Sequence, residues 1–146
     1  MNPRLLFIDD EPENVEFVAR TLRDALDADV RVVTTVAAAV EALHEVRYDL
    51  VVTDVFIPVH SVPESQLGPR ARRKTEHIEH LGGLVLLDEI DRLTDPPLLL
   101  AHTACVDPVL IELLGERVVE RVRKPAPTEV LLDAVLRVLR EASRQA

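Results

Sequence analysis

The stretch Tyr48-Asp49-Leu50-Val51-Val52-Thr53-Asp54-Val55-Phe56-Ile57-Pro58 decides the fold. A valine-rich apolar run ends at one carboxylate, and a proline stops it soon after. A short apolar run bounded in this way reads as a buried strand of a parallel sheet. Asp54 then stands at the strand's C-terminal end. Open α/β sheets keep their ligand crevices outside the carboxyl ends of their strands. Asp54 is therefore the group on which chemistry is expected.

Working outward, the same kind of run recurs on both sides. Arg4 to Ile8 is a buried-strand run that ends at Asp9-Asp10-Glu11, with Pro12 placed to open a helix. From Glu13, Val15, Val18, Leu22 and Leu26 recur at close to helical spacing. Asp29 to Thr35 reads as a second strand, and alanine-rich Ala37 to Val46 as a helix. After the Asp54 strand, residues 59–82 break the rhythm with Pro63, Gly68, Pro69 and a basic cluster at Arg70, Arg72, Arg73 and Lys74. Arg70 to Lys74 reads first as a solvated loop face, with a partner-binding patch as the rival. His77 and His80 share a helix face but have no further ligands, so they read as exposed rather than metal-binding.

Leu84, Leu87, Ile90 and Leu93 mark the next helix, and Pro96-Pro97 ends it. Leu98 to Thr103 is a fourth buried strand. Asp107 and Pro108 cap a short helix that Gly115 stops. Arg117 to Arg123 is a more polar strand suited to a sheet edge, closed by Lys124-Pro125. Pro127 to Ala142 is an amphipathic helix with Val130, Leu131, Ala134, Val135, Val138 and Leu139 inward. Strand and helix thus alternate five times. The expected fold is α/β: a doubly wound five-stranded parallel sheet flanked by five helices.

With 146 residues, the chain reads as one domain over 1–146. A net charge of -9 argues against a nucleic-acid surface. One cysteine, Cys105, excludes an internal disulfide, and the residue itself reads as a small core side chain. No apolar run reaches membrane-spanning length, and no signal peptide opens the chain, so a cytoplasmic location is expected.

Four of the five strand runs finish on a reactive polar group: Asp9-Asp10, Asp54, Thr103 and Lys124. In a parallel sheet these endings share one edge. Three carboxylates gathered there repel one another unless a cation sits among them. Hard oxygen donors with room for water suit Mg²⁺. A lysine beside them balances charge and can hold an anion's oxygens. Such a set suits phosphoryl transfer, where positioning and charge neutralisation do most of the work. Asp54 would be the nucleophile.

These residues resemble the response-regulator receiver domains of two-component signalling, in the form of a chemotaxis-regulator-like single-domain receiver. The matching fragments are Leu6-Phe7-Ile8-Asp9-Asp10-Glu11-Pro12, Thr53-Asp54-Val55-Phe56-Ile57-Pro58, Gly83-Leu84-Val85-Leu86-Leu87, Thr103-Ala104 and Lys124-Pro125. The resemblance implies a flavodoxin-like sheet in the order 2-1-3-4-5. It implies that Asp54 accepts the phosphoryl group. Asp9, Asp10, Asp54 and the main-chain carbonyl of Phe56 would hold Mg²⁺, Asp9 mainly through water. Thr103 would hydrogen-bond a phosphoryl oxygen, and Lys124 would ion-pair with it. The donor would be a histidine kinase or histidine phosphotransfer protein. With no output domain after the last helix, the signal would pass by contact with an effector protein. Neither direct nucleic-acid nor membrane binding is implied; a homodimer is compatible.

The chain departs from that pattern in three places. The loop between the third strand and the following helix is enlarged by the insert at about 59–82. Arg121 stands three residues before Lys124, where the family usually carries Tyr or Phe. His102 precedes Thr103, where an apolar residue is usual. Arg121 and the insert support a rival reading, a receiver-like protein-binding module that is not phosphorylated. A third reading, a Mg²⁺-dependent phosphohydrolase with its nucleophile at the first strand, leaves Asp54 without a role. The expected protein is a phosphoacceptor and not an enzyme with substrate turnover.

Overall fold

The computed structural model describes residues 2–59 and 67–145, with residues 75–77 and 145 described by their backbone alone. Five strands, β1 (Arg4–Ile8), β2 (Asp29–Val33), β3 (Leu50–Thr53), β4 (Leu98–Thr103) and β5 (Val118–Arg123), form one sheet. The order is β2-β1-β3-β4-β5, and every pairing is parallel. The alternation predicts the doubly wound parallel sheet, and the resemblance its flavodoxin-like order. The α-helices among the described residues are α1 (Glu16–Leu26), α2 (Val36–Glu45), α3 (Pro69–Arg72), α4 (Gly82–Asp91), α5 (Pro108–Leu114) and α6 (Thr128–Gln145). Five are the expected crossover and flanking helices. The sixth, α3, is a single turn inside the insert. None of these helices is long and apolar enough to cross a membrane.

Alternation along the strands divides the core into two layers. Leu6, Ile8, Val51, Leu99 and Ala101 face α2, α4 and α5, together with Leu43, Leu84, Leu87 and Leu113. Leu5, Phe7, Leu50, Val52, Leu100 and Val122 face α1 and α6, together with Val18, Leu22, Leu131 and Val135. Both faces of β1 and β3 are buried, which is why their sequences are continuous apolar runs. β5 alternates exposed and covered residues, as an edge strand does. Arg121 lies exposed on it.

Local chemistry sets the element ends. Thr35, read as the end of the second strand, instead caps α2: its hydroxyl accepts from the Ala38 amide at 3.1 Å. Asp107 caps α5 through the Val109 amide at 2.8 Å, and Gly115 ends it at φ 61°, a left-handed conformation that costs glycine nothing. Val130, read as inward, is 46 % exposed; the buried stripe of α6 starts one residue later, at Leu131, and runs through Ala134, Val135 and Val138.

The insert leaves the sheet and returns to it at nearly the same place. Val59 donates its amide to the Glu79 carbonyl at 2.8 Å, and Gly82 donates to Ile57 at 2.7 Å. A loop closed at its base in this way lengthens the chain at little entropic cost and leaves the frame intact. Its described part is also core: Leu67 and Ala71 are buried with the α2, α4 and α5 layer. Residues 60–66 and the side chain of His77 lie outside the described residues, and with them the reading of His77 and His80 as a pair.

Candidate functional site

The C-terminal rim of the sheet gathers the residues that the sequence singled out. β1 delivers Asp9 and Asp10, β3 delivers Asp54, β4 delivers Thr103, and β5 delivers Lys124. The register explains the convergence. Ile8 lies beside Thr53, so the next residues, Asp9 and Asp54, are neighbours across the β1–β3 ladder. Thr103 lies beside Arg123, which puts Lys124 just past the end of the β4–β5 ladder. The Lys124 amide donates to the Thr103 carbonyl at 3.1 Å.

The Lys124 ammonium is the hub. It donates to Asp9 Oδ2 at 2.6 Å and to Asp54 Oδ2 at 3.0 Å. Both carboxylates are almost fully buried, and the lysine side chain is 17 % exposed. Their other oxygens rest on the backbone: Asp9 Oδ1 accepts from the Glu11 amide at 3.0 Å, and Asp54 Oδ1 from the Phe56 amide at 3.1 Å. Burial works against the lysine's charge, but the two carboxylates outweigh it and hold the ammonium above its ordinary value. Asp10 is exposed at the mouth of the site.

Asp9, Asp10 and Asp54 each bring a carboxylate oxygen within 4.8 Å of the others. Three hard oxygen donors at that separation fit a small divalent cation such as Mg²⁺. Lys124 offsets part of their negative charge; an ion would offset the remainder. Phe56 follows in the loop, its amide on Asp54 and its ring 40 % exposed. Thr103 is buried, and its hydroxyl accepts from the Cys105 amide at 3.2 Å.

Two glycines hold this loop in place, Gly82 through its amide on the Ile57 carbonyl at 2.7 Å and Gly83 at its side. Gly83 donates its amide to the Val55 carbonyl at 3.0 Å. A Cβ on Gly83 would lie 2.4 Å from the Asp54 carbonyl oxygen and 2.6 Å from the Val55 Cα. The start of α4 therefore touches the backbone that carries Asp54, and only glycine permits that approach.

Sequence reasoning missed two groups. Asp88, inside the apolar pattern of α4, is buried. It accepts from the Ala71 amide at 3.1 Å and from the Arg70 guanidinium at 3.0 Å. Arg70 also reaches Asp91 at 2.5 Å and the Leu113 carbonyl at 2.7 Å. Arg70 is thus not part of a solvated patch; it pins the insert to α4 and to the end of α5. Arg72 and Arg73 do remain exposed. A charge inside an apolar stripe, matched by an arginine in an otherwise irregular insert, was the available signal. The second group is His102, whose unusual position was visible but whose place in the site was not. Its ring is buried, it lines one pocket with Lys124, and its Nδ1 has no hydrogen-bond partner among the described residues.

No protein-family model matches this sequence, and no curated protein matches it. Solved structures do share its fold. A CheY-like response regulator receiver domain protein from Methanospirillum hungatei superposes with a TM-score of 0.75 at 14% identity, covering 100% of both chains. The receiver domain of a Francisella response regulator gives 0.69 at 18% identity, covering 97% of this chain and 99% of that one. A chemotaxis response regulator of Vibrio cholerae gives 0.63 at 21% identity, covering 94% and 99%. The chain has the response-regulator receiver fold.

Proposed function

We propose that this chain accepts a phosphoryl group on Asp54 and signals by protein–protein contact that depends on it. The observation that carries this reading is the meeting of Asp9, Asp54 and Lys124 at one rim, with Asp10 at its mouth. Mg²⁺ held by Asp9, Asp10, Asp54 and the Phe56 carbonyl would neutralise charge on the transferring group. A carboxylate oxygen of Asp54 attacks phosphorus, and the bond to the donor's leaving group breaks with its electron pair. Lys124 then pairs with a phosphoryl oxygen, and the Thr103 hydroxyl donates to another. The added charge shifts a two-state balance.

The donor is a histidine kinase or histidine phosphotransfer protein, which places the chain in the cytoplasm. The chain itself turns over no separate substrate. Exposed Val109, Val119 and Val130, on α5, β5 and α6, offer apolar area to an effector or a second copy. Because Arg121 stands exposed on β5, the outward signal does not rely on an aromatic turning inward there.

The test is intact-protein mass spectrometry after incubation with acetyl phosphate and Mg²⁺. The wild type should gain one phosphoryl group, and Asp54→Ala should gain none. Equal labelling of the two proteins overturns the assignment.

A further inference from the structure

Beside the phosphoacceptor rim lies a pocket of about 170 Å³, lined by Asn14, His102, Lys124, Pro125, Thr128 and Leu131. His102 is 6 % exposed, and its Nδ1 meets no donor or acceptor among the described residues. A buried polar atom without a partner is uncommon and calls for one. Burial and the nearby Lys124 charge push its protonation down, against the weaker pull of Asp9 and Asp54. A neutral imidazole keeps one lone pair, so it can accept a hydrogen bond. An ammonium offers only donors. The two groups line one cavity and are chemically complementary.

The carboxylates supply the reason for them to meet. On Asp9 and on Asp54, one oxygen is held by a backbone amide and the other by Lys124. A divalent ion gathered by Asp9, Asp10 and Asp54 would compete with the ammonium for the same two carboxylates. A double charge outcompetes a single one for them. The lysine must then give up at least part of its seat, and its flexible stem opens onto the pocket.

We propose that Lys124 has two seats and that His102 provides the second, accepting a hydrogen bond from the ammonium when a divalent cation takes the carboxylates. His102 is thus a positioning residue, acting through Lys124. It lowers the cost of cation binding by giving the displaced charge an acceptor, directly or through one water in the pocket. This inference rests on the receiver reading above.

The experiment is a Mg²⁺ titration of the full chain, followed by the side-chain ¹⁵N resonances of His102 and by calorimetry. On saturation, a His102 nitrogen should move to the range of a hydrogen-bonded acceptor. His102→Leu should bind Mg²⁺ about tenfold more weakly, and His102→Gln, which restores an acceptor, should recover part of the loss. Mg²⁺ binding by the wild type with no change at His102 overturns the inference and leaves the receiver reading standing. So does an affinity in His102→Leu equal to wild type. If the wild type binds no Mg²⁺, the receiver reading fails and this inference fails with it. The ring signal is read in the unaltered protein, so a variant that folds poorly does not remove the test.

Discussion

The ammonium of Lys124 sits 2.6 Å from Asp9 Oδ2, 115 residues earlier in the chain, and 3.0 Å from Asp54 Oδ2, 70 residues earlier. One positive charge thus holds together two buried carboxylates from the ends of β1 and β3. Lys124→Ala would leave both carboxylates unpaired. Removing one partner of a buried pair costs about 3–5 kcal/mol, so the variant should unfold at markedly lower urea in EDTA. It should also gain more stability from Mg²⁺ than the wild type does, because the ion no longer competes with the lysine. An equal Mg²⁺ gain in both proteins would show that lysine and ion do not share the site.

The same clamp predicts an alkaline limit. Lys124 is held above its ordinary value of 10.5, the carboxylates outweighing burial. A group raised on folding stabilises fully below its unfolded value, and that contribution disappears as pH rises through the folded one. The stability difference between wild type and Lys124→Met should therefore be constant up to about pH 10.5 and shrink above it. Denaturant titrations of both proteins across pH 8–12 read it directly; a difference that persists unchanged at the alkaline end contradicts the pairing.

His102 predicts the opposite limb. Burial, then the Lys124 charge, hold it below its ordinary 6.5. The unfolded chain therefore binds a proton that the folded one resists. The contribution is present above about pH 6.5 and is lost as pH falls from there toward the folded value. His102→Leu should flatten this acid slope between pH 7 and 5. Parallel slopes for the two proteins would count against a buried neutral imidazole.

Gly83→Ala should disturb the site without touching its side chains. The added Cβ meets two backbone atoms of the Asp54–Val55 unit, at 2.4 and 2.6 Å, and backbone cannot rotate away. A cost of about 1–3 kcal/mol follows, as for other overpacking. Phosphoryl labelling of Asp54 should slow in step, because the carboxylate moves with its loop. Normal labelling with normal melting would mean that the loop yields freely.

Arg70→Ala tests the anchor of the insert. It strips the charged partner from Asp88, whose side chain is 2 % exposed, and should cost about 3 kcal/mol. Asp88→Ala should cost at least as much, since the Ala71 amide loses its acceptor too. Arg73→Ala, on an exposed neighbour, should stay within about 0.5 kcal/mol. Urea unfolding should find Arg73→Ala close to wild type, Arg70→Ala well below it, and Asp88→Ala at least as low as Arg70→Ala.

The strands were legible because strand periodicity is local and the fully buried runs of β1 and β3 are continuous; their order in the sheet was implied by the resemblance to receiver domains. The carboxylates were legible because each ends such a run. Errors fell where a neighbour in space decides. Thr35 is extended like a strand residue, but its hydroxyl caps α2. Val130 continues the apolar stripe of α6 in sequence yet lies outside its buried stretch. Asp88 is a lone charge within the apolar pattern of α4, and the partner that explains it, Arg70, lies 18 residues away.

By itself, the sequence determined a five-stranded parallel architecture and the set of polar groups on one rim. Both follow from patterns repeating every two to four residues. Only the tertiary structure decided how those groups are partnered: Lys124 between Asp9 and Asp54, Arg70 on Asp88, and the His102 Nδ1 buried without a partner among the described residues. Such pairings span 18 to 115 residues. They depend on how layers dock, and no local pattern encodes a distance between side chains that meet only when the sheet is assembled.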